Sequence, residues 1–116
     1  ESLNRLEARY GILTTEENVI EGSYQWGYPN GWACLQYITF SALQKYGFDD
    51  DARRIAKKYV ELVDKIFDET ENLWEKYNVI EGSIEVVDEY KMPTMMGWSA
   101  GVYLAATELL ENGIIF

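Results

Sequence analysis

Histidine is absent from this 116-residue chain, cysteine occurs once and proline twice. Without histidine there is no Ser-His-Asp triad, no Cys-His pair and no histidine-based metal site. A single cysteine, Cys34, excludes an internal disulfide and with it a disulfide scaffold. Positive charge is also scarce. Ten Lys and Arg face twenty Asp and Glu, a formal net charge of −10. No basic stripe offers itself to nucleic acid, and the acidic balance argues against docking on anionic membranes. Long apolar runs are missing too. The charge-free stretch from Met92 to Thr107 is too short and too interrupted by Gly and Ser to span a bilayer. No signal peptide is evident at the start. Together with the lack of disulfides, this favours a cytoplasmic setting. Acid–base chemistry near neutral pH is left to carboxylates, one thiol, lysines and tyrosines.

What is present suffices for one modest core. Residues are 47% apolar and 15% aromatic, which excludes a disordered chain. The pattern predicts an all-α chain with helices over about 2–10, 31–46, 50–68 and 97–111. Gly11 is placed to stop the first helix, and Asn30 to cap the second. The 31–46 helix carries no charge until Lys45 and is apolar almost all round. The 50–68 helix places Ala52, Ile55, Ala56, Tyr59, Val60, Val63, Ile66 and Phe67 on one face, with charges opposite and Glu61–Lys65 as an i, i+4 pair. The 97–111 helix is again charge-free through Ala106. A helix apolar all round must be covered on all sides, whereas a one-faced helix keeps a solvent side. Inner, outer, inner is the rhythm of an α/α toroid. Three full helices cannot close such a ring, so the expected fold is a partial toroid. It would be completed by further polypeptide or by copies of itself. A plain small bundle is the simpler alternative, but it fits the two long loops poorly.

Those loops, Ile12 to Pro29 and Asn78 to Met96, precede the N-termini of the two apolar helices and should share one end of the layer. The first contains a turn at Glu21-Gly22-Ser23 and is rich in aromatics. The second carries Glu81, Glu85, Asp88 and Glu89, with Glu75 just ahead of it. Indole rings stack on the C–H faces of sugars, and carboxylates accept hydroxyl hydrogen bonds. Glycoside hydrolysis needs two carboxyl groups and no histidine. Each residue also has a plainer role. Trp26 and Trp32 are favoured by composition as core plugs. A single Glu is most often a solvated surface acid, and the four loop acids form an acidic rim without the spacing of a calcium loop. Cys34 reads as an inert core residue, and Met92, Met95 and Met96 as packing.

Five segments then carry a resemblance. "QWGYPNGWACLQ" is similar to the trehalase-family signature Gln-Trp-Asp-x-Pro-Asn-Gly-Trp-Ala-Pro-Leu-Gln. "ALQKYG" resembles the helix end that follows it, and "LWEKYNV" the family's Glu-Lys-Tyr-Asp segment. "EYKMPTMMGWSAGV" resembles Glu-Tyr followed by Gly-Trp-Thr-Asn-Gly-Val, and "GILTT" resembles Gly-Leu-Ala-Thr-Thr. They occur in order and at compatible spacing over nearly the whole chain. The resemblance implies that residues 1–116 form a single segment, the C-terminal portion of an (α/α)6 catalytic domain. It implies an inverting glycoside hydrolase acting on a small α-glucoside such as trehalose, without metal or organic cofactor. By motif, Glu75 would be the general base, Glu89 a substrate-contacting acid on a lid loop, and Trp26 a wall of the sugar pocket. Asn30 and Trp32 would shape the loop. The family's acid, an aspartate further upstream, has no counterpart here, so the chain alone is expected to be catalytically incomplete. The implied partners are a small sugar and the remainder of the barrel, supplied by upstream polypeptide or by self-association. Nucleic acid and membrane are not expected. A non-catalytic sugar-binding or self-associating helical module is the alternative. The chain departs from the family pattern at Gly27, Cys34, Ala100 and the "EGSIEVVD" run.

Overall fold

The computed structural model describes residues 1–17, 22, 24–94 and 97–113. Met95, Met96 and the turn expected at Glu21-Gly22-Ser23 lie outside the described residues. The elements, in order, are α1 (Ser2–Leu6), β1 (Glu7–Ala8), β2 (Gly11–Ile12), β3 (Asn30–Trp32), α2 (Ala33–Lys45), α3 (Asp49–Thr70), β4 (Lys76–Asn78) and α4 (Gly97–Asn112). The molecule is a slab of 39 × 35 × 19 Å, about two helix diameters thick. The three long helices occur where the periodicity places them.

The one-faced helix behaves as its pattern demands. α3 buries Ala52, Ile55, Ala56, Tyr59, Leu62, Val63 and Ile66 against both α2 and α4. Burying each Ile, Leu or Val contributes about 1.5–3 kcal/mol, so this face dominates the core. Asp49, Asp50 and Asp51 occupy its first turn, where carboxylates complement the helix dipole, although Phe48 is the N-cap residue. Its i, i+4 ion pairs among the described residues are Lys57–Glu61 and Lys65–Glu69, offset from the expected Glu61–Lys65 pairing. The all-apolar helices behave differently. α2 buries only Ala33, Gln36 and Phe40, while Ile38 on α2 and Leu104 on α4 are exposed. An apolar groove runs between α1 and α2, lined by residues including Leu3, Leu6, Ile38, Leu43 and Phe48. The inner helices thus present uncovered apolar faces, as expected of part of a toroid.

Two expectations are corrected. The first helix ends at Leu6 rather than Tyr10. Glu7–Ala8 turns back to pair antiparallel with Gly11–Ile12, so Gly11 sits in a strand rather than stopping a helix. The second helix starts at Ala33 rather than Gly31, and Asn30 does not cap it. Asn30–Trp32 instead pairs antiparallel with Lys76–Asn78, with Asn30 opposite Asn78, Gly31 opposite Tyr77 and Trp32 opposite Lys76. Strands of two and three residues leave no periodic trace in a sequence. Gly31 is required by this close approach. A Cβ there would lie 2.4 Å from Val79 Cγ1 and 2.8 Å from the Ile12 carbonyl. Gln36, buried in α2, locks β2 in place: its amide accepts from Ile12 N–H at 2.8 Å and donates to Ile12 C=O at 2.7 Å.

Candidate active site

The β3–β4 ribbon decides what meets what. β3 ends the aromatic loop, and β4 follows Glu75 directly. Pairing Trp32 with Lys76 therefore sets the aromatic loop beside the Glu-Lys-Tyr segment. The second loop is then tied to the first by side chains. Buried Asn30 donates through Nδ2 to the carbonyls of Gln25 (3.0 Å) and Val87 (2.6 Å). Its Oδ1 accepts from Val87 N–H at 3.1 Å. Gln25 N–H donates to Glu89 Oε2 at 3.3 Å. The second loop is held from its other side by Asn78, whose Nδ2 donates to Glu85 C=O and whose Oδ1 accepts from the N–H groups of Ile80 and Glu81. The two long loops therefore meet at one seam.

Three indoles stand at this seam. Trp26 and Trp32 stack with centroids 3.8 Å apart and planes within 2°. Trp98 of α4 meets both edge-on, at 6.5 and 5.6 Å. Trp32 is buried and donates its Nε1–H to Gln25 C=O at 2.8 Å. Trp26 is 45% exposed, so one indole of the stack is accessible while its partner anchors it. For Trp32 the core-plug role is correct; for Trp26 it is not.

Glu75 is 5% exposed, unlike the surface acid that an isolated Glu suggests. Its Oε1 accepts from the Tyr90 hydroxyl at 2.5 Å, and its Oε2 from Lys76 Nζ at 2.9 Å. A carboxylate offers about four acceptor sites, so both oxygens are fixed while capacity for a further donor remains. The hydrogen bond to Glu75 pushes the Tyr90 phenol up to about 12, reinforced by desolvation and by the nearby charges of Glu75, Asp88 and Glu89. Tyr90 is therefore a neutral donor throughout the physiological range. Lys76 is fully buried and also pairs with Asp88. Its ammonium lies 5.1 Å from the ring centroids of both Trp32 and Tyr90.

The other candidates fall outside this cluster or at its rim. Glu89 is exposed, accepts from Gln25 N–H and adds its charge beside Tyr90. Glu81 and Glu85 are exposed. Met92 is buried as packing requires. Cys34 is half-buried rather than core, and burial pushes its thiol up, which keeps it protonated and unreactive. Sequence reasoning did not find Lys76, Tyr90 or Trp98. Their signal was membership of the quoted segments: Lys76 follows Glu75 in "LWEKYNV", Tyr90 follows Glu89, and Trp98 is the Trp of the second Gly-Trp.

Taken together, the helices form part of an α/α toroid with a seam of indoles and carboxylates at one end of the layer. Residues 1–111 match the Trehalase family model, and the chain belongs to the trehalase family. Periplasmic trehalases of Salmonella paratyphi B and Salmonella newport are each 35% identical to it over 101 residues, covering 86% of this chain and 17% of theirs. The neutral trehalase Nth1 from Saccharomyces cerevisiae superimposes with a TM-score of 0.76 at 25% identity, covering 97% of this chain and 20% of that one. This chain therefore spans about a fifth or less of the relatives it matches. The structural likeness bears out a partial α/α toroid as the fold class. The cytoplasmic expectation is corrected: these bacterial relatives are periplasmic. A lack of disulfides does not mark a compartment, because an oxidising environment permits disulfides without requiring them.

Proposed function

We propose that the full-length protein to which this segment belongs is a periplasmic glycoside hydrolase that cleaves a small α-glucoside such as trehalose with inversion. The observation that carries this is Glu75, a buried carboxylate with both oxygens fixed, beside an accessible indole platform in a trehalase-family chain. In this reading Glu75 is the general base. It takes a proton from water as the water oxygen bonds to the anomeric carbon. The glycosidic C–O bond breaks, and an acid on the opposite side protonates the leaving oxygen. Inverting enzymes hold the two carboxyl groups roughly 6.5–9.5 Å apart to admit that water. The acid comes from upstream polypeptide, which also covers the bare faces of α2 and α4. Residues 1–116 are then the C-terminal portion of the catalytic domain. Trp26 forms a wall against the C–H face of the sugar, and Glu89 accepts from sugar hydroxyls. Gly27 stands where the family signature has Asp, which makes the sugar's hydroxyl pattern the property most open to change.

Trehalose hydrolysis by the full-length protein, followed by proton NMR, tests the reading. Inversion releases α- and β-glucose in equal initial amounts, whereas retention gives only α. Glu75→Gln should lower kcat by roughly a thousandfold with the fold intact. Undiminished turnover in this variant would exclude Glu75 as the base. The alternative, a sugar-binding or self-associating module, draws on the exposed apolar faces of α2 and α4. It predicts that the isolated segment sediments as an oligomer and that the full-length protein binds sugar without cleaving it.

A further inference from the structure

Lys76 is the least expected residue in the molecule. A lysine with no exposed side-chain surface is rare, and a cation needs full compensation to be buried at all. For stability alone, an apolar side chain of similar volume usually serves as well or better. Its surroundings are specific. Glu75 Oε2 stands at 2.9 Å, the Asp88 carboxylate completes a second ion pair, and the rings of Trp32 and Tyr90 each lie 5.1 Å from the ammonium. Two of these four partners, Asp88 and Tyr90, belong to the second loop. Trp32 belongs to β3, at the end of the aromatic loop, and Glu75 to the segment before β4. Tyr90 closes a circuit, since its hydroxyl donates to the other oxygen of Glu75.

We propose that Lys76 is a positioning residue for hydrolysis. It fixes the Glu75 carboxylate from the protein side and ties it through Asp88 to the second loop, so the base is set only while that loop is closed over it. This rests on Glu75 being the base. Lys76 does not touch the sugar. It acts by orienting one carboxylate oxygen and by coupling that orientation to the loop that carries Glu89 and Tyr90. Loss of the ammonium frees the Glu75 carboxylate to rotate and releases Asp88. A misplacement of about 1 Å at a reacting group can lower a rate by about 100-fold.

The test is trehalose hydrolysis by the full-length protein carrying Lys76→Met, Asp88→Asn, both together, or Glu75→Gln. Lys76→Met should lower kcat by about 100-fold and leave KM within about threefold, because Trp26 and Glu89 are unchanged. Asp88→Asn should lower kcat by about tenfold, again with KM nearly constant. The double variant should be no worse than Lys76→Met alone, since both changes cut one linkage. Active Glu75→Gln would overturn the assignment of the base itself. Inactive Glu75→Gln together with wild-type kcat in Lys76→Met would overturn the role of Lys76 alone. So would a loss confined to KM, or strictly additive losses in the double variant. If Lys76→Met does not fold, Asp88→Asn decides: an unchanged kcat there refutes the coupling.

Discussion

Asn30→Ala removes one amide and, with it, the joint between the two loops. Three hydrogen bonds are lost: those to the carbonyls of Gln25 and Val87, and the one from Val87 N–H. Each is worth about 0.5–1.5 kcal/mol net, and the groups left behind are partly buried, so the expected loss is about 2–4 kcal/mol. Gln25 C=O keeps its bond from Trp32 Nε1, which limits the damage on the aromatic side. The Val87 side keeps nothing comparable from Asn30. The loss should therefore appear as local opening of the second loop rather than as global unfolding. Hydrogen exchange of a peptide containing Val87, measured on the full-length protein, reads this directly. At a factor of ten per 1.4 kcal/mol, protection should fall roughly 30- to 1,000-fold. Asn30→Asp is the sharper variant. It retains an acceptor for Val87 N–H but points a second oxygen at two carbonyls, so it should open the loop at least as much as Ala. Near-normal protection in either variant would refute Asn30 as the joint.

Two further outcomes follow from the packing. Gly31→Ala drives a methyl group into Val79 and the Ile12 carbonyl, and should destabilise by about 1–3 kcal/mol, visible as a lowered melting temperature. Glu7 accepts from Arg54 through both oxygens and from Lys58, and chiefly the Arg54 hydrogen bonds lower its carboxyl from 4.5 to about 2. A depressed folded value means stability that is present above about 4.5 and lost as pH falls through about 2. Glu7→Gln should cost about 1–2 kcal/mol at neutral pH, allowing for the solvent exposure of Arg54, and the difference from wild type should vanish near pH 2. A difference that persists unchanged at pH 2 would count against the ion pairs.

Legibility in the sequence followed the range of the forces involved. α3 was readable because its apolar positions recur at helical spacing and its charges fill the rest. The character of α2 and α4 was readable because a charge-free helix has nowhere to put a solvent face. Asn30 was misread as a cap because the same side chain that caps a helix also bridges backbone groups of two loops. Nothing local distinguishes the two uses. The β-ribbons were invisible because two or three residues define no period. Lys76 was unreadable in principle: its burial depends on Glu75 beside it and on Asp88, Trp32 and Tyr90, brought there by strand pairing. The family motif supplied Glu75, Glu89 and Trp26 as candidates, while the contacts of Lys76, Tyr90 and Trp98 emerged only in three dimensions.

The β3–β4 ribbon has a consequence for how such proteins diversify. It couples the Gln-Trp loop and the Glu-Lys-Tyr segment by direct backbone pairing, although α2 and α3 lie between them in the chain. Their spacing therefore does not depend on how the rest of the toroid closes. Grafted into the barrel of a relative together with α2 and α3, the two strands would carry both parts as a unit with their mutual distance intact. If Trp26 walls the sugar pocket as proposed, substrate preference in such a chimera should follow the donor at the ring that meets Trp26, and the host at the other.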